Sequence, residues 1–398
     1  MTNTMLSDLT LIIPTFNRPE HLARLLGYYA NQAVTFDILV LDSSCVEIQE
    51  INAVNVKIFG VKIRHIKYDS SIRVATKLWD GLSQVATRFS AFCADDDVVF
   101  IDGLASAQIY LSSHPDCVCA DGIYLNFMRR DAELHTHIEY ASQGISAEHP
   151  GARVFRLFQR YESLFYGVFR TQDLATIFSA VCVVPTLHFQ ELFQTVGALL
   201  IGKSHRLDVF YAGRQHCDPA EPARDKWQTF YWFADDREDF LMHYLVYRTK
   251  LWKFYLENGQ EPHITLADFE RVMDLAHATF FGVNCPPEYF FNSLGSIWPA
   301  DHFLDRSDNK YNICNRLKSP LRQKSERMII NFSEYLFSRL NAWQANRAIA
   351  HLDLISRLTD GIQWKCSLPD DLRWLADTPT YQTAYKSLCR YFEPSPKI

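Results

Sequence analysis

Three consecutive aspartates, Asp95, Asp96 and Asp97, are the residues of this sequence whose types and spacing best suit catalysis. They directly follow residues 89–94, an apolar run that reads as a strand. Adjacent carboxylates repel one another, and a bound cation relieves that repulsion. In extended chain, residues two apart face the same side. Asp95 and Asp97 are therefore predicted to converge on a ribose and on a Mg²⁺ or Mn²⁺ ion that bridges Asp97 to a diphosphate. The alternative is a solvated acidic turn.

The elements that would hold these aspartates alternate between strands and helices. Continuous apolar runs are typical of strands buried on both faces of a parallel sheet. The predicted strands are residues 9–13, 37–41, 61–67, 89–94 and 117–120. This rhythm predicts an α/β fold with an open, mostly parallel, doubly wound sheet. Such sheets bind ligands beyond the carboxyl ends of their strands. Polar residues occur at those ends: Thr15, Asn17, Asp42, Ser43, Asp95 to Asp97, and Asp121.

The second half of the chain follows a different pattern. Residues 131–150 are polar and irregular, which predicts a loop over the site. After residues 218–222, aromatic and aliphatic residues recur with helical spacing. We therefore predict two domains, a catalytic domain at 1–224 and a mainly α-helical domain at 225–398. The aromatic stripe of the second domain is first of all its core, and acceptor binding or oligomerisation are its predicted roles.

Composition excludes several classes of protein. Apolar residues make up 48% and charged residues 22% of the 398 residues, as in folded globular proteins. A net charge of −6 argues against nucleic-acid binding. The ten cysteines are scattered, which favours a reducing compartment. No signal-peptide pattern and no apolar run of about 18 residues is present. We expect a soluble cytoplasmic protein, and the basic run at 316–327 leaves peripheral membrane contact open.

Three segments carry a resemblance to a known family. They are LIIPTFNRP at residues 11–19, LDSS at 41–44 and CADDD at 93–97. In order and spacing the sequence resembles family 2 glycosyltransferases of the GT-A fold, with their P-T-x-N-R turn, second-strand acidic residue and DxD-type motif. A bacterial subgroup is similar also at 165–171 and 202–208. The resemblance covers about residues 8–217. Residues 41–44 hold a single acidic residue where the family usually has D-D-G-S or D-N-x-S, so the donor nucleotide stays open.

The resemblance implies roles for individual residues. Thr15 and Asn17 would line the nucleotide pocket, Asp42 would contact the nucleoside, and Lys77 stands where many members carry Asn. Lys77 would either reach a phosphate or cap a solvated helix face. The implied nucleotide-sugar-binding set is Pro14, Thr15, Asn17, Arg18, Asp42, Ser43, Lys77, Asp95, Asp96, Lys203, Arg206 and Arg214. The implied ligands of a divalent Mn²⁺ or Mg²⁺ are Asp97, Asp95 and His216.

Family members mostly invert the anomeric centre, and this reaction needs one general base for the acceptor hydroxyl. The base is usually an acidic residue at a helix start beyond the sheet. Glu191 precedes an apolar run and is the first candidate. The alternative interpretation is that Glu191 is a first-turn residue that only stabilises the helix. Asp121 and Asp208 are the alternatives.

Three functions are weighed. The first is a metal-dependent, inverting glycosyltransferase that moves a sugar from a nucleotide-diphosphate-sugar to a glycan or glycolipid hydroxyl in polysaccharide biosynthesis. The second, a nucleotidyltransferase, needs a glycine-rich phosphate loop after the first strand, and residues 14–17 contain no glycine. The third is a catalytically silent scaffold that binds sugars or nucleotides within a glycan assembly complex. The oligomeric state is left open.

Overall fold

The computed structural model describes residues 5–59, 62–130, 133–138, 140, 144–215, 232, 236–259, 264–284 and 379–392. All of these except Asn284 belong to one compact unit. The strands are β1 (Leu9–Thr15), β2 (Asp37–Asp42), β3 (Ile63–Lys67), β4 (Phe89–Phe92), β5 (Val98–Val99), β6 (Cys117–Arg130), β7 (Glu133–Ile138), β8 (Val168–Arg170) and β9 (Lys203–Gln215).

Helices connect and flank these strands. After a 3₁₀ turn at Met5–Asp8, the helices are α1 (Pro19–Asn31), α2 (Val46–Phe59), α3 (Val74–Ser83), α4 (Ile101–Ser113), α5 (Pro150–Gln159), α6 (Thr171–Val181), α7 (Leu187–Ile201), α8 (Arg237–Asn258), α9 (Leu266–Asn284) and α10 (Pro379–Tyr391). Arg18 is the N-cap residue of α1, with Pro19 in the first turn, where its missing N–H costs nothing. Among the residues described, none of these helices combines the length and apolar composition needed to cross a bilayer.

The strands form one mixed nine-stranded sheet. Its order is β3-β2-β1-β4-β8-β6-β9-β5, and β7 pairs with β6. The first four strands in this order run parallel, and β6 runs parallel to β9. Strand β8 joins the two parallel blocks in antiparallel orientation to both β4 and β6. The predicted α/β class is confirmed, although antiparallel pairs are as frequent as parallel ones.

Helices cover both faces of the parallel block. The chain moves outward from β1 to β2 and β3 through α1 and α2, then returns past β1 to β4 through α3. Because crossovers between parallel strands are right-handed, reversing direction places α3 on the opposite face from α1 and α2. In agreement, α1 contacts α2, while α3 contacts α6. The sheet is doubly wound at this point, as predicted.

The sequence misses parts of the second half of the sheet. Residues 133–138, inside the segment predicted to be an irregular loop, form β7 as a hairpin partner of β6. Strand β6 extends to Arg130 instead of ending at 120, and β9 was not predicted at all. These strands contain only short apolar runs between polar residues, such as 123–125 and 209–212, and they depend on partners that are distant in sequence.

The described part of residues 225–398 is helical. Helix α8 packs on α7, where the rings of Phe189 and Tyr247 lie 4.9 Å apart, and α10 contacts α1 and β9. The boundary proposed at 224 lies outside the described residues, so the separate helical domain stays a prediction. The six cysteines that the structure describes are free thiols: Cys45, Cys93, Cys117, Cys119, Cys182 and Cys389.

Candidate active site

The aspartates lie at the point where the order of the sheet reverses. Strand β1 is flanked by β2 on one side and β4 on the other, and ligands of doubly wound sheets bind in the crevice at such a reversal. Thr15 ends β1, and its hydroxyl donates a 2.7 Å hydrogen bond to Asp95 Oδ2. The two strand ends are thereby tied together at the predicted position.

The turn after β1 is held against the turn after β2. Asn17 has a φ of 55°, in the left-handed region that asparagine tolerates better than most residues. Its N–H donates to Ser44 Oγ at 2.8 Å, and its Oδ1 accepts from the Cys45 N–H at 2.9 Å. Arg18 stays half-exposed and donates to Asp96 Oδ2 at 2.8 Å, with Asp95 Oδ1 3.5 Å away. Arg18 is therefore a half-exposed cation at the edge of the site, paired with Asp96.

Asp42 is fully buried, and both of its carboxylate oxygens have hydrogen-bond partners. Its oxygens accept from the Ser44 N–H at 2.9 Å and Asn52 Nδ2 at 2.9 Å, and lie 3.0 Å from His65 Nε2. Burial alone would raise the pKa of Asp42, but the hydrogen bonds from His65, Ser44 and Asn52 outweigh it and lower that pKa to about 2. Asp42 thus shapes the end of β2, and a role in contacting the nucleoside stays a prediction.

Lys77 projects from α3 beneath the ends of β1 and β2 and is only 2% exposed. Its ammonium donates to the Thr15 carbonyl at 3.1 Å and to Ser43 Oγ at 2.7 Å. Burial lowers the pKa of Lys77 to about 8, although Asp42 and Asp95 oppose that shift. The alternative of a solvated helix-face residue is wrong, because the side chain cross-links the two strand ends inside the protein.

A pH-dependent stability follows from Lys77. Its pKa is about 8 in the folded protein against an ordinary 10.5. Between these pH values the unfolded state binds more protons, so the free energy of unfolding attributable to Lys77 rises with pH. Relative to Lys77→Met, we expect the wild type to gain up to about 3 kcal/mol between pH 8 and pH 10.5. Urea unfolding of both proteins across this range measures the gain, and a pH-independent difference would contradict the assignment.

Asp95 and Asp97, two of the three aspartates of the triplet, are buried. Asp97 is 6% exposed, accepts the Gln215 N–H on Oδ1 at 2.6 Å, and accepts the Tyr166 hydroxyl on Oδ2. Burial, with help from Asp96, raises the pKa of Asp97 to about 7 against the opposing charge of Arg214. Burial also raises the pKa of Asp95. Both carboxylates are therefore held where their negative charge is costly without a compensating cation.

These carboxylates fit a divalent cation shared with a substrate. Within the described ranges, no group of three or more His, Cys, Asp or Glu side chains forms a metal cage made of protein alone. Mg²⁺ is commonly held by one or two carboxylates together with substrate phosphates and water. Asp97 and Asp95 supply such hard oxygen donors. The third predicted ligand, His216, lies outside the described residues.

A cavity of about 450 Å³ opens beside these strand ends. Pro14 and Ala94, the residues just before Thr15 and Asp95, form one edge, and Glu191, Tyr166 and Arg214 line it as well. Burial raises the pKa of Glu191, opposed by the charge of Arg214. Because Arg214 lowers the pKa of both Asp97 and Glu191, its guanidinium lies within electrostatic reach of both. The cavity therefore places a candidate base near the aspartates: neither Asp95 nor Asp97 lines it, but Ala94 precedes Asp95 and Tyr166 donates to Asp97.

Asp121 and Arg206 lie behind the wall of this cavity and face each other. Arg206 donates from Nε and Nη2 to the two oxygens of Asp121 at 3.0 and 2.8 Å, and also pairs with Glu162. Its guanidinium carbon is 5.5 Å from the ring centroid of Tyr124, which lines the cavity. With both carboxylate oxygens engaged, Asp121 is placed as part of a buried ion network.

Removing Asp121 from that network leaves the buried Arg206 with Glu162 as its remaining acidic partner. We expect Asp121→Asn to lower the free energy of unfolding by about 1.5–3 kcal/mol, the contribution of hydrogen bonds to charged groups. Glu148→Gln is the matched control, because Glu148 pairs with Lys203 on the surface at 2.7 Å and its side chain is 86% exposed. Loss of such a pair costs about 1 kcal/mol or less. Denaturant unfolding compares the two, and equal small losses would show that the network adds no stability.

The remaining predicted residues lie elsewhere. Lys203 is the first residue of β9, at the opposite end of that strand from Gln215, and it pairs with Asp116 and Glu148. The structure does not bring it to the aspartates. Asp208, the other alternative base, is exposed in the middle of β9. Arg170, in the segment shared with the bacterial subgroup, donates to the carbonyls of Cys117, Leu111 and His114 and so supports the end of α4.

Two residues of the site escape prediction from the sequence. Tyr166 donates to Asp97, and Gln215 donates to it from its main chain. Tyr166 stands in the shared segment 165–171, so that resemblance was a signal for it. Gln215 acts through its peptide N–H, which carries no residue-type signal.

No protein-family model and no curated protein sequence matches this chain. Solved structures with a similar course of the chain include S. aureus TarS 1-349 in complex with UDP-GlcNAc. The two chains are 15% identical with a TM-score of 0.46, and the match covers 72% of this chain and 80% of that one. Another is the mannosyltransferase PcManGT from Pyrobaculum calidifontis in complex with GDP-Man and Mn²⁺, at 12% identity and TM-score 0.44 over 84% and 87%. At these levels the function must be argued from the residues of this chain.

Proposed function

We propose that this protein is a glycosyltransferase that moves a sugar from a nucleoside-diphosphate sugar to an acceptor hydroxyl with inversion. The observation that supports this most is that Asp95 and Asp97, two buried carboxylates with raised pKa values, lie beside a cavity that is lined by Glu191 and Arg214. A sugar diphosphate with its cation supplies the positive charge that the carboxylates lack, and the cavity is large enough for a sugar ring.

The donor would lie across the reversal of the sheet. Thr15, Asn17 and Ser43 surround the carboxyl ends of β1 and β2, where the nucleoside is expected. Arg18 reaches the same edge and is half-exposed, so it is free to turn towards a phosphate, which Arg binds well. Arg214 lines the cavity, and its charge lowers the pKa of Asp97. Lys77 acts indirectly, by holding Thr15 and Ser43.

The divalent ion would be held by Asp97 and Asp95, and when bound it supplies charge neutralisation for the leaving diphosphate. Asp97 is oriented for this by the hydrogen bonds from Gln215 and Tyr166. Each carboxylate oxygen keeps a second lone pair for a further ligand. His216 remains a proposed additional ligand.

Glu191 would act as the general base. Its carboxylate takes the proton of the acceptor hydroxyl while that oxygen bonds to the anomeric carbon. The bond from this carbon to the diphosphate oxygen breaks, and its electron pair leaves with the nucleoside diphosphate. Attack from the side opposite the leaving group inverts the centre. The raised pKa of Glu191 makes its carboxylate a stronger base than an ordinary exposed glutamate.

An assay of nucleoside diphosphate release tests this function. UDP- and GDP-sugars are incubated with the full chain, Mn²⁺ and a panel of glycan and glycolipid acceptors. Acceptor-dependent release that EDTA abolishes supports the proposal, and product anomers identified by NMR report inversion. Tight nucleotide binding without turnover on any acceptor would favour the catalytically silent scaffold.

The helical region at 225–398 is proposed to bind the acceptor or a second copy of the chain. Variants of its surface should then change acceptor use without abolishing donor binding.

A further inference from the structure

One residue, Gln215, links Asp97 to helix α1. Gln215 ends β9, and its main-chain N–H donates to Asp97 Oδ1 at 2.6 Å. Its side-chain Oε1 accepts a 2.7 Å hydrogen bond from Arg24 Nη2 of α1. The peptide and the side chain of Gln215 thus connect the buried aspartate to the surface of α1.

Arg24 is held in turn by the end of α10. Its guanidinium carbon lies 4.5 Å from the ring centroid of Tyr391 and 5.1 Å from that of Phe392. Cations over aromatic faces at such distances are attracted by the ring. Tyr391 is 1% exposed, so the aromatic platform under the cation is fixed within the protein.

Helix α10 approaches β9 closely because of a glycine two residues before Gln215. A Cβ on Gly213 would lie 2.5 Å from Leu388 Cδ2 and 3.1 Å from Val98 Cγ1. Tyr391 also packs against Phe127 of β6, with ring centroids 5.8 Å apart. The helix is therefore seated on the same strand end that supplies the hydrogen bond to Asp97.

We propose that Arg24, Gln215 and α10 form a positioning clamp that fixes the carboxylate of Asp97 for the cation and its diphosphate. This inference rests on the proposed function, because it assigns the clamp a role in donor binding. Arg24 and Gln215 are positioning residues, since they act on the ligand only through Asp97. Loss of the clamp releases the end of β9 and with it the hydrogen bond that orients the aspartate.

Binding measurements with full-length variants test the clamp. Mn²⁺-dependent binding of UDP and GDP is followed by calorimetry for the wild type, Arg24→Met, Gln215→Met and the double variant. Gln215→Met keeps the N–H that Asp97 accepts but loses the bond to Arg24. Residues that orient a metal ligand typically contribute about 10- to 100-fold in affinity. We expect each single variant to weaken binding about tenfold, and the double variant to weaken it by no more than either alone, because both remove one link.

The control is Arg88→Met, an arginine that also lies over a ring, at 5.1 Å from the centroid of Phe89, outside the cavity lining. It should bind as the wild type does. Arg24→Lys, which keeps the cation over the rings, should recover part of the affinity. If Arg24→Met and Gln215→Met bind nucleotide as tightly as the wild type does, the proposed clamp is wrong while the proposed function stands. If the wild type binds no nucleotide with Mn²⁺, the proposed function itself fails.

Discussion

Asp97→Asn is expected to lower sugar transfer at saturating donor by at least about 100-fold, the scale seen when one group that stabilises the transition-state charge is removed. The change keeps the size of the side chain and an oxygen that accepts the Gln215 N–H, while the amide nitrogen that replaces the other oxygen donates to the Tyr166 hydroxyl instead of accepting from it. It removes the negative charge that would hold the cation against the leaving diphosphate. Kinetics of nucleoside diphosphate release at several Mn²⁺ concentrations measure the loss.

The stability of Asp97→Asn serves as an internal control. Burial raises the pKa of Asp97 to about 7 from an ordinary 3.8. The charged form is therefore disfavoured in the folded protein, so the stability attributable to Asp97 is fully present below pH 3.8 and is lost as the pH rises through about 7. Without metal at pH 8, the free energy of unfolding of Asp97→Asn should be equal to or higher than that of the wild type. A large loss of both stability and activity would instead indicate a structural role.

The neighbouring aspartate is the matched comparison. Asp96 is paired with Arg18 at the surface of the site, and its side chain is 20% exposed. Asp96→Asn is expected to lower turnover less than about tenfold, because exposed ion pairs contribute little. Equal effects at both positions would contradict the assignment of the cation to Asp97.

Glu191→Gln is expected to lower kcat by about 10²- to 10⁴-fold, the usual contribution of a general base, with little change in the KM of the donor. The glutamine keeps the shape of the cavity wall but cannot accept the acceptor's proton. In the wild type, kcat should fall at acid pH as Glu191 becomes protonated, at a pH above the ordinary glutamate range because its pKa is raised. That limb should disappear from the pH profile of the variant.

Asp208→Asn separates Glu191 from the alternative base. Asp208 is exposed in the middle of β9 and does not line the cavity. Its replacement should leave kcat within about threefold, as expected for a surface site remote from the reacting atoms. A large loss in Asp208→Asn together with an active Glu191→Gln would move the general base to Asp208.

The sequence predicted the half of the site built on parallel strands. Buried parallel strands read as apolar runs, and the polar residues that follow them mark the edge where ligands bind. This logic located Thr15, Asn17 and the aspartate triplet correctly at neighbouring strand ends. It also placed Ser43 beside Thr15, where Lys77 joins them.

The other half depends on partners distant in sequence. Tyr166 is 69 residues from Asp97, and Gln215 is 118 residues away. Arg206 looked like a phosphate-binding residue, because an arginine near a predicted site has the same sequence signal whether it meets a phosphate or a buried carboxylate. Only the pairing of β6 with β9 brings Arg206 to Asp121. Such assignments require the register of the sheet.

The role proposed for Asp97 is to bind a divalent cation together with a nucleoside-diphosphate sugar. The most direct measurement is calorimetric titration of the wild type and of Asp97→Asn with UDP- and GDP-sugars, each in Mn²⁺ and in EDTA. We expect the wild type to bind at least one donor and to lose about tenfold or more of that affinity in EDTA, whereas Asp97→Asn should show no response to Mn²⁺. Donor binding with an unchanged Mn²⁺ response in Asp97→Asn, or no donor binding by the wild type at all, would contradict it.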